Sequence, residues 1–352
     1  MRQMSPLVLF LAAALGGPGI ADPHYELRDT RWIIFLENAT DEDMRILDAH
    51  PDVRTVAVRG KGITDAGLAP LARCLRLDTL SVSSPRVTVD GLGPIRELPK
   101  LDRFCACRTS WTMLKNIPRS VTELVLEENG DMGNDALSGI SDLPHLRRLA
   151  FYRCPVGDVG LEHLDLFPEL SSLSLRDTRL SDSGLKPIGR LERLVKLDLR
   201  ESRVTDAGLP CLAGTASLEE LDLRQTRITG AGLKPLRALK NLTVVRLDDS
   251  AVDDAGIASI SALPFVVYLS LSRCNLTDAA ATALARMPNL RRLDLTGCPV
   301  SDEGVRALQQ SQSLRFVDLI GSKVSDETAK AISSRSLTVR VRPPSATRPA
   351  SW

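Results

Sequence analysis

Apolar residues recur in pairs, two positions apart, along most of the chain: Leu149 with Phe151, Leu173 with Leu175, Leu197 with Leu199, Leu221 with Leu223, Val245 with Leu247, Leu269 with Leu271, Leu293 with Leu295 and Val317 with Leu319. Apolar positions at i and i+2 with mostly polar residues between them predict short, half-buried strands. Seven residues after each pair begins, a second motif opens, as in Val204-Thr205-Asp206-Ala207-Gly208-Leu209. From there to Leu212 the apolar spacing is helical. A Ser or Thr at its start suits an N-cap, and the Asp that follows lies where the helix dipole favours an anion. Leu143-Pro144, Leu263-Pro264 and Met287-Pro288 punctuate the ends of these segments.

The second motif returns every 24 residues from Val156 onward, at Leu180, Val204, Ile228, Val252, Leu276, Val300 and Val324. Ala39, Ile63, Val87 and Met132 open intact or degenerate copies upstream, giving about 13 repeats. The 45 residues from Val87 to Met132 break the period and are expected to hold two shortened units, which marks 92–131 as irregular. One unit is then a strand, a loop, a helix and a return. No single unit can bury its own Leu set, whereas stacked neighbours bury it for one another, each Leu contributing roughly 1.5–3 kcal/mol. The predicted fold is an α/β solenoid, a horseshoe with a parallel β-sheet on the concave side and helices on the convex side.

The pattern L-x-x-L-x-L-x-x-(C/T/S)-x-(I/V)-(T/S)-D-x-G-L resembles the leucine-rich repeat, closest to its cysteine-containing and related bacterial subtypes. It covers about residues 32–342. The resemblance implies a binding platform. The cysteine-containing subtype is best known from substrate-recognition subunits of ubiquitin ligases, which carry an F-box ahead of the repeats; residues 22–38 are too few to form one here.

Because alternate residues of a strand share a face, the Leu register dictates which side chains line the concave sheet. One column reads Arg148, Ser172, Lys196, Glu220, Val244, Tyr268, Arg292, Phe316; the next, Ala150, Ser174, Asp198, Asp222, Arg246, Ser270, Asp294, Asp318; the third, Tyr152, Arg176, Arg200, Arg224, Asp248, Ser272, Thr296, Ile320. The run Arg176, Arg200, Arg224 beside Asp198 and Asp222 has two readings. It is a self-neutralising lattice that keeps an exposed sheet soluble, or it is part of a protein-binding surface, since Arg and Tyr are favoured interface anchors. Val244, Tyr268, Arg292 and Phe316 form a second patch, notable in a chain only 4% aromatic. The candidate ligand-binding residues are Tyr152, Arg176, Arg200, Arg224, Arg246, Tyr268, Arg292 and Phe316. Arg179, Arg203 and Arg227 form a loop ladder expected to be solvated.

Composition narrows the function classes. With 45 Lys and Arg against 44 Asp and Glu, the net charge of +1 lacks the basic excess of a nucleic-acid binder. Of the seven Cys, Cys154, Cys274 and Cys298 share the slot filled elsewhere by Thr178, Ser202, Thr226, Ser250 and Ser322, which points to a structural role. Cys74 replaces a Leu. Cys105 and Cys107 are placed on the concave side, where they are an incidental pair or, alternatively, a redox or metal site. On one strand their thiols are about 7 Å apart, poor for a disulfide. The four His, at 24, 50, 145 and 163, show no metal-ligand spacing and accompany no triad. There is no P-loop, Gly-rich dinucleotide turn or HExxH, and the sequons at Asn38, Asn241 and Asn275 read as incidental. No cofactor, metal site or catalytic group is expected.

At the N-terminus, Arg2, the apolar run Leu7–Leu15 and the small residues Gly19 and Ala21 fit a signal peptide over 1–21, with the mature chain starting near Asp22. A disordered or capping N-terminus is the alternative. Nine apolar residues are too few for a membrane span, which needs about 20. Residues 343–352, rich in Pro, Ser and Arg, are expected to be disordered. Together these features describe a monomeric, secreted or periplasmic, non-catalytic scaffold that recognises a protein or peptide on its concave face. The alternative is an intracellular substrate-adaptor-like module that retains residues 1–21.

Overall fold

The structure, a computed structural model, describes residues 33–133, 137–140, 142–333 and 337–341. The expected signal peptide (1–21) and tail (343–352) lie outside the described residues. Fourteen strands pair in chain order into one open parallel sheet. Seven span five residues each: β1 (Ile33–Glu37), β2 (Thr55–Arg59), β3 (Thr79–Ser83), β4 (Arg103–Cys107), β5 (Glu123–Glu127), β6 (Arg148–Tyr152) and β7 (Ser172–Arg176). Seven span three: β8 (Lys196–Asp198), β9 (Glu220–Asp222), β10 (Val244–Arg246), β11 (Tyr268–Ser270), β12 (Arg292–Asp294), β13 (Phe316–Asp318) and β14 (Thr338–Arg340). The register aligns equivalent repeat positions, so Leu197 faces Leu221 and Val245 faces Leu269. The paired Leu columns are buried in a single apolar core that runs from Ile34 to Leu337. The chain is an α/β solenoid with a concave parallel sheet.

The irregular stretch differs from expectation. β4 and β5 begin 20 residues apart and β5 and β6 begin 25 apart, so one unit is shortened and its neighbour is slightly long. The convex segment of the short unit is one six-residue 3-10 helix, Trp111–Asn116, followed at once by the return through Pro118.

The convex segments are also less helical than the apolar spacing predicts. Seven-residue α-helices form at Asp254–Ile260, Asp278–Leu284, Asp302–Leu308 and Asp326–Ile332, and most of the others are 3-10 turns. The four seven-residue helices lack proline, whereas Pro70, Pro94, Pro187, Pro210 and Pro235 fall in five of the earlier segments. Proline removes an N–H and clashes with the carbonyl four residues back, so an α-helix cannot run through it. The four helices are capped from the side chains of Asp253, Thr277, Ser301 and Ser325.

The motif Asp holds neighbouring coils together. Asp182 accepts hydrogen bonds from the Thr205 backbone N–H at 2.7 Å and from its hydroxyl at 2.6 Å, 23 residues away. Asp41 does the same to Thr64, Asp65 to Thr88, Asp158 to Ser181, Asp254 to Thr277 and Asp278 to Ser301. The motif Gly follows from this contact. A Cβ on Gly208 would lie 2.6 Å from Asp182 Oδ1, and one on Gly304 would lie 2.4 Å from Asp278 Oδ1. Each glycine therefore leaves room for the preceding coil's carboxylate.

The cysteine slot works in a related way. Cys154, Cys274 and Cys298 donate from Sγ to the carbonyls of Leu126, Leu247 and Leu271 in the preceding coil, at 3.4, 3.2 and 3.1 Å. Thr178, Thr226 and Ser250 donate instead within their own coil, to Leu175, Leu223 and Leu247. Cys74 is buried, as its Leu slot implies.

Candidate functional site

The concave face is built from the outward residues of the strands. At the end of each outward run one residue takes a left-handed conformation: Arg153, Asp177, Glu201, Gln225, Asp249 and Arg273 have φ between 51° and 59°, and Gly297 and Gly321 continue the column at 73° and 74°. This turns each backbone N–H toward the next strand, where Arg153 donates to Arg176, Asp177 to Arg200 and Glu201 to Arg224. The outward columns are thereby held in register across the sheet.

Three of the candidate arginines are neutralised within the protein. Arg200 forms a two-pronged bond with Asp198, Nε to Oδ1 at 2.9 Å and Nη2 to Oδ2 at 2.6 Å, and Arg224 repeats it with Asp222 at the same distances. Arg176 donates to Glu201 at 2.9 Å. Burial disfavours the charge of Asp198, but the bonds from Arg200 outweigh it and hold its pKa below the usual range. The Arg200 pKa is raised, chiefly by its bond to Asp198. Tyr152, half-buried beside this lattice, has its pKa pushed up mainly by burial.

The other four candidates lie on β10 to β13 and form a stack. The Arg246 guanidinium lies 5.5 Å from the Tyr268 ring centre, Arg292 lies 5.3 Å from Tyr268 and 5.1 Å from Phe316, and Arg340 on the terminal strand lies 5.4 Å from Phe316. Five side chains thus alternate cation and ring across β10 to β14. At such distances the cation is drawn to the electron-rich ring face, with about 0.5–1 kcal/mol per exposed contact. Arg246 is also paired with Glu220, and Arg340 with Asp318.

Arg340, on the terminal strand, extends the stack beyond the candidates read from the sequence. In the register Thr338 faces Phe316 and Arg340 faces Asp318, so Arg340 reaches the Phe316 ring diagonally. The loop arginines Arg179, Arg203 and Arg227 are exposed.

Phe104 and Ala106 point inward, so Cys105 and Cys107 occupy the outer face of β4, but Cys107 is almost fully covered there. Burial, then Glu123 and Glu127, pushes the Cys105 thiol up to about 12, and burial raises Cys107 as well. A raised pKa favours the thiol over the thiolate, which makes both weak nucleophiles in this environment. Among the described residues no group of three or more His, Cys, Asp or Glu is placed to hold a metal ion, and no helix is long and apolar enough to cross a membrane.

A family profile described as "Leucine Rich repeat" matches residues 216–236, 262–285 and 286–308. The crystal structure of an internalin (inlF) from Listeria monocytogenes superposes with a TM-score of 0.61 at 19% identity, covering 87% of this chain and 86% of the internalin. The chain has the leucine-rich-repeat fold. A leucine-rich-repeat protein of Leptospira interrogans is also similar, with a TM-score of 0.49 at 15% identity over 88% of this chain and 89% of that one. No curated protein matches in sequence. The internalin likeness is one of fold. In this fold the concave sheet is the extended open face, and here it carries the arginine lattice and the ring stack.

Proposed function

We propose that this leucine-rich-repeat protein is an exported, non-catalytic scaffold that binds a protein or peptide on its concave face, through Tyr152, Arg176, Arg200, Arg224, Arg246, Tyr268, Arg292 and Phe316. The observation that carries the reading is the stack on β10 to β14. It gathers two of the few aromatic side chains of the protein, half-buried and solvent-facing, with three arginines on one rigid sheet. Aromatic and Arg side chains in a pre-ordered patch are the usual energetic centres of protein interfaces. The apolar run at 7–15, followed by small residues at 19 and 21, supports export.

A photo-crosslinking amino acid placed at Tyr268, and separately at the exposed convex residue Arg190, tests this in the native cells. The expected result is a discrete protein adduct from position 268 alone, in the periplasmic or extracellular fraction, on a chain whose N-terminus is near Asp22. Equal labelling from both positions would remove the concave face as the binding site, and an intact Met1 in the cytosol would remove export.

A further inference from the structure

Among the described residues, every cation on the concave strands has a carboxylate partner except one. Arg59 pairs with Glu37, Arg103 and Arg148 with Glu123, Lys196 and Arg246 with Glu220, Arg176 with Glu201, Arg200 with Asp198, Arg224 with Asp222 and Arg340 with Asp318. Arg292 has none. It is exposed, and its guanidinium is sandwiched between the Tyr268 and Phe316 rings. The rings flank the guanidinium on both sides, and among the described residues no acceptor takes the donors along its edge. The edge carries the five N–H donors, in a fork that matches a carboxylate two-prong to two-prong.

Resting on the concave-face reading above, we propose that Arg292 is the anchor for a partner's acidic side chain, a single Asp or Glu flanked by apolar residues in a peptide segment lying across β10 to β13. Charge complementarity selects the carboxylate, since Arg292 is the one concave cation not already neutralised. The flanks follow from its neighbours. Tyr268 and Phe316 adjoin it on either side in register, and Val244, half-buried, extends the row beyond Tyr268. Apolar contacts on both sides favour a segment that continues past the anchor, hence a carboxylate within a chain rather than one at its end. Asp294, two residues along the same strand face, accepts a bond from the Thr296 N–H at 2.9 Å and has no ion-pair partner. It repels a second acid, so the preferred partner carries one carboxylate among apolar residues and not an acidic run.

The test selects peptides from a random phage-displayed library against the immobilised full-length protein. Affinities of the synthetic winners are then measured for wild type, Arg292→Gln, Arg292→Lys and Arg200→Gln. The expected winners contain one Asp or Glu between apolar residues. Their affinity should fall at least about tenfold when Arg292 becomes Gln, recover only partly with Lys, and fall comparably when the peptide acid becomes its amide. C-terminal amidation of the peptide should change nothing. Arg292→Gln should melt within a few degrees of wild type, showing that the loss is one of binding.

Winners that depend on Arg200 and ignore Arg292 would overturn the anchor while leaving a concave binding face. Winners abolished by C-terminal amidation would overturn the in-chain carboxylate. Winners indifferent to both arginines, or none at all, would overturn the anchor together with the concave-face reading.

Discussion

Truncating Asp182 to Ala removes one joint between adjacent coils, and the structure sets the size of the effect. The carboxylate accepts two bonds from Thr205, at 2.7 and 2.6 Å. Hydrogen bonds to a charged group contribute about 1.5–3 kcal/mol each when shielded, and this pair is only half-buried, so a loss of about 2 kcal/mol in all is expected. Gly208→Ala attacks the same joint from the other side. Its Cβ would lie 2.6 Å from Asp182 Oδ1, 2.8 Å from Leu185 Cδ1 and 3.0 Å from Asp182 Cα, an overpacking that costs about 1–3 kcal/mol. In the double variant the offending carboxylate is gone, while the contacts with Leu185 and the Asp182 backbone remain. The double variant should therefore lose at least about 1 kcal/mol less than the sum of the two singles. Urea unfolding followed by circular dichroism measures the cycle, and hydrogen exchange in β8 and β9 locates the loosening. Additivity within about 0.5 kcal/mol would show that the motif glycine is not there for the neighbouring carboxylate.

Three further outcomes follow from the same geometry. Gln225 is exposed, left-handed at φ 57° and makes no side-chain bond of its own, so Gln225→Gly should stabilise by about 0.5–1 kcal/mol in urea unfolding; a loss of stability there would contradict the strain assigned to this column. The pKa of Asp158 is lowered: burial opposes its charge, but bonds from the Ser181 and Ser183 hydroxyls and the Ser181 and Gly184 backbone outweigh it. A lowered folded pKa gives stability that is fully present above the unfolded value near pH 4 and lost as pH falls through the folded one. The melting difference between wild type and Asp158→Asn should thus be constant at neutral pH and shrink in acid; growth in acid would reverse the sign argued here. Leu199→Asp buries an unpaired charge at a fully buried position and should unfold the central coils, whereas Arg200→Ala breaks only a half-buried pair and should cost about 1–2 kcal/mol. Equal thermal losses for the two would refute the register.

The fold was legible because its determinants are local and repeated. Leu197 and Leu199 specify a strand face by spacing alone, and repetition every 24 residues specifies parallel stacking. The same regularity concealed the role of the motif acid. Asp182 sits where a helix dipole would favour it, so capping explains it fully within its own coil, yet its partner is Thr205 in the next. A contact between repeats leaves no mark in a pattern read one repeat at a time. The glycine four residues into the motif was the available signal, since a helix interior disfavours glycine unless something must come close. The convex segments were overread as helices for the opposite reason. Their apolar spacing is helical, but Pro187, Pro210 and Pro235 act on the backbone, which the side-chain pattern does not record.

The concave face shows where a repeat protein can acquire a specific site. Asp198 with Arg200 and Asp222 with Arg224 are one solution used twice, an acid and a base two residues apart on one strand that neutralise each other. From β10 onward the repeat no longer supplies that arginine: Asp248, Ser272, Thr296 and Ile320 fill its column. The rings of Tyr268 and Phe316 appear in the first column over the same coils, with Arg292 between them. The cation is thereby moved from a position where an acid lies two residues away in hydrogen-bonding reach to one where aromatic faces hold it. A regular lattice neutralises its own charges and offers a partner no uncompensated cation. Recognition on this surface is expected where the repeat departs from its own consensus, as it does around Arg292.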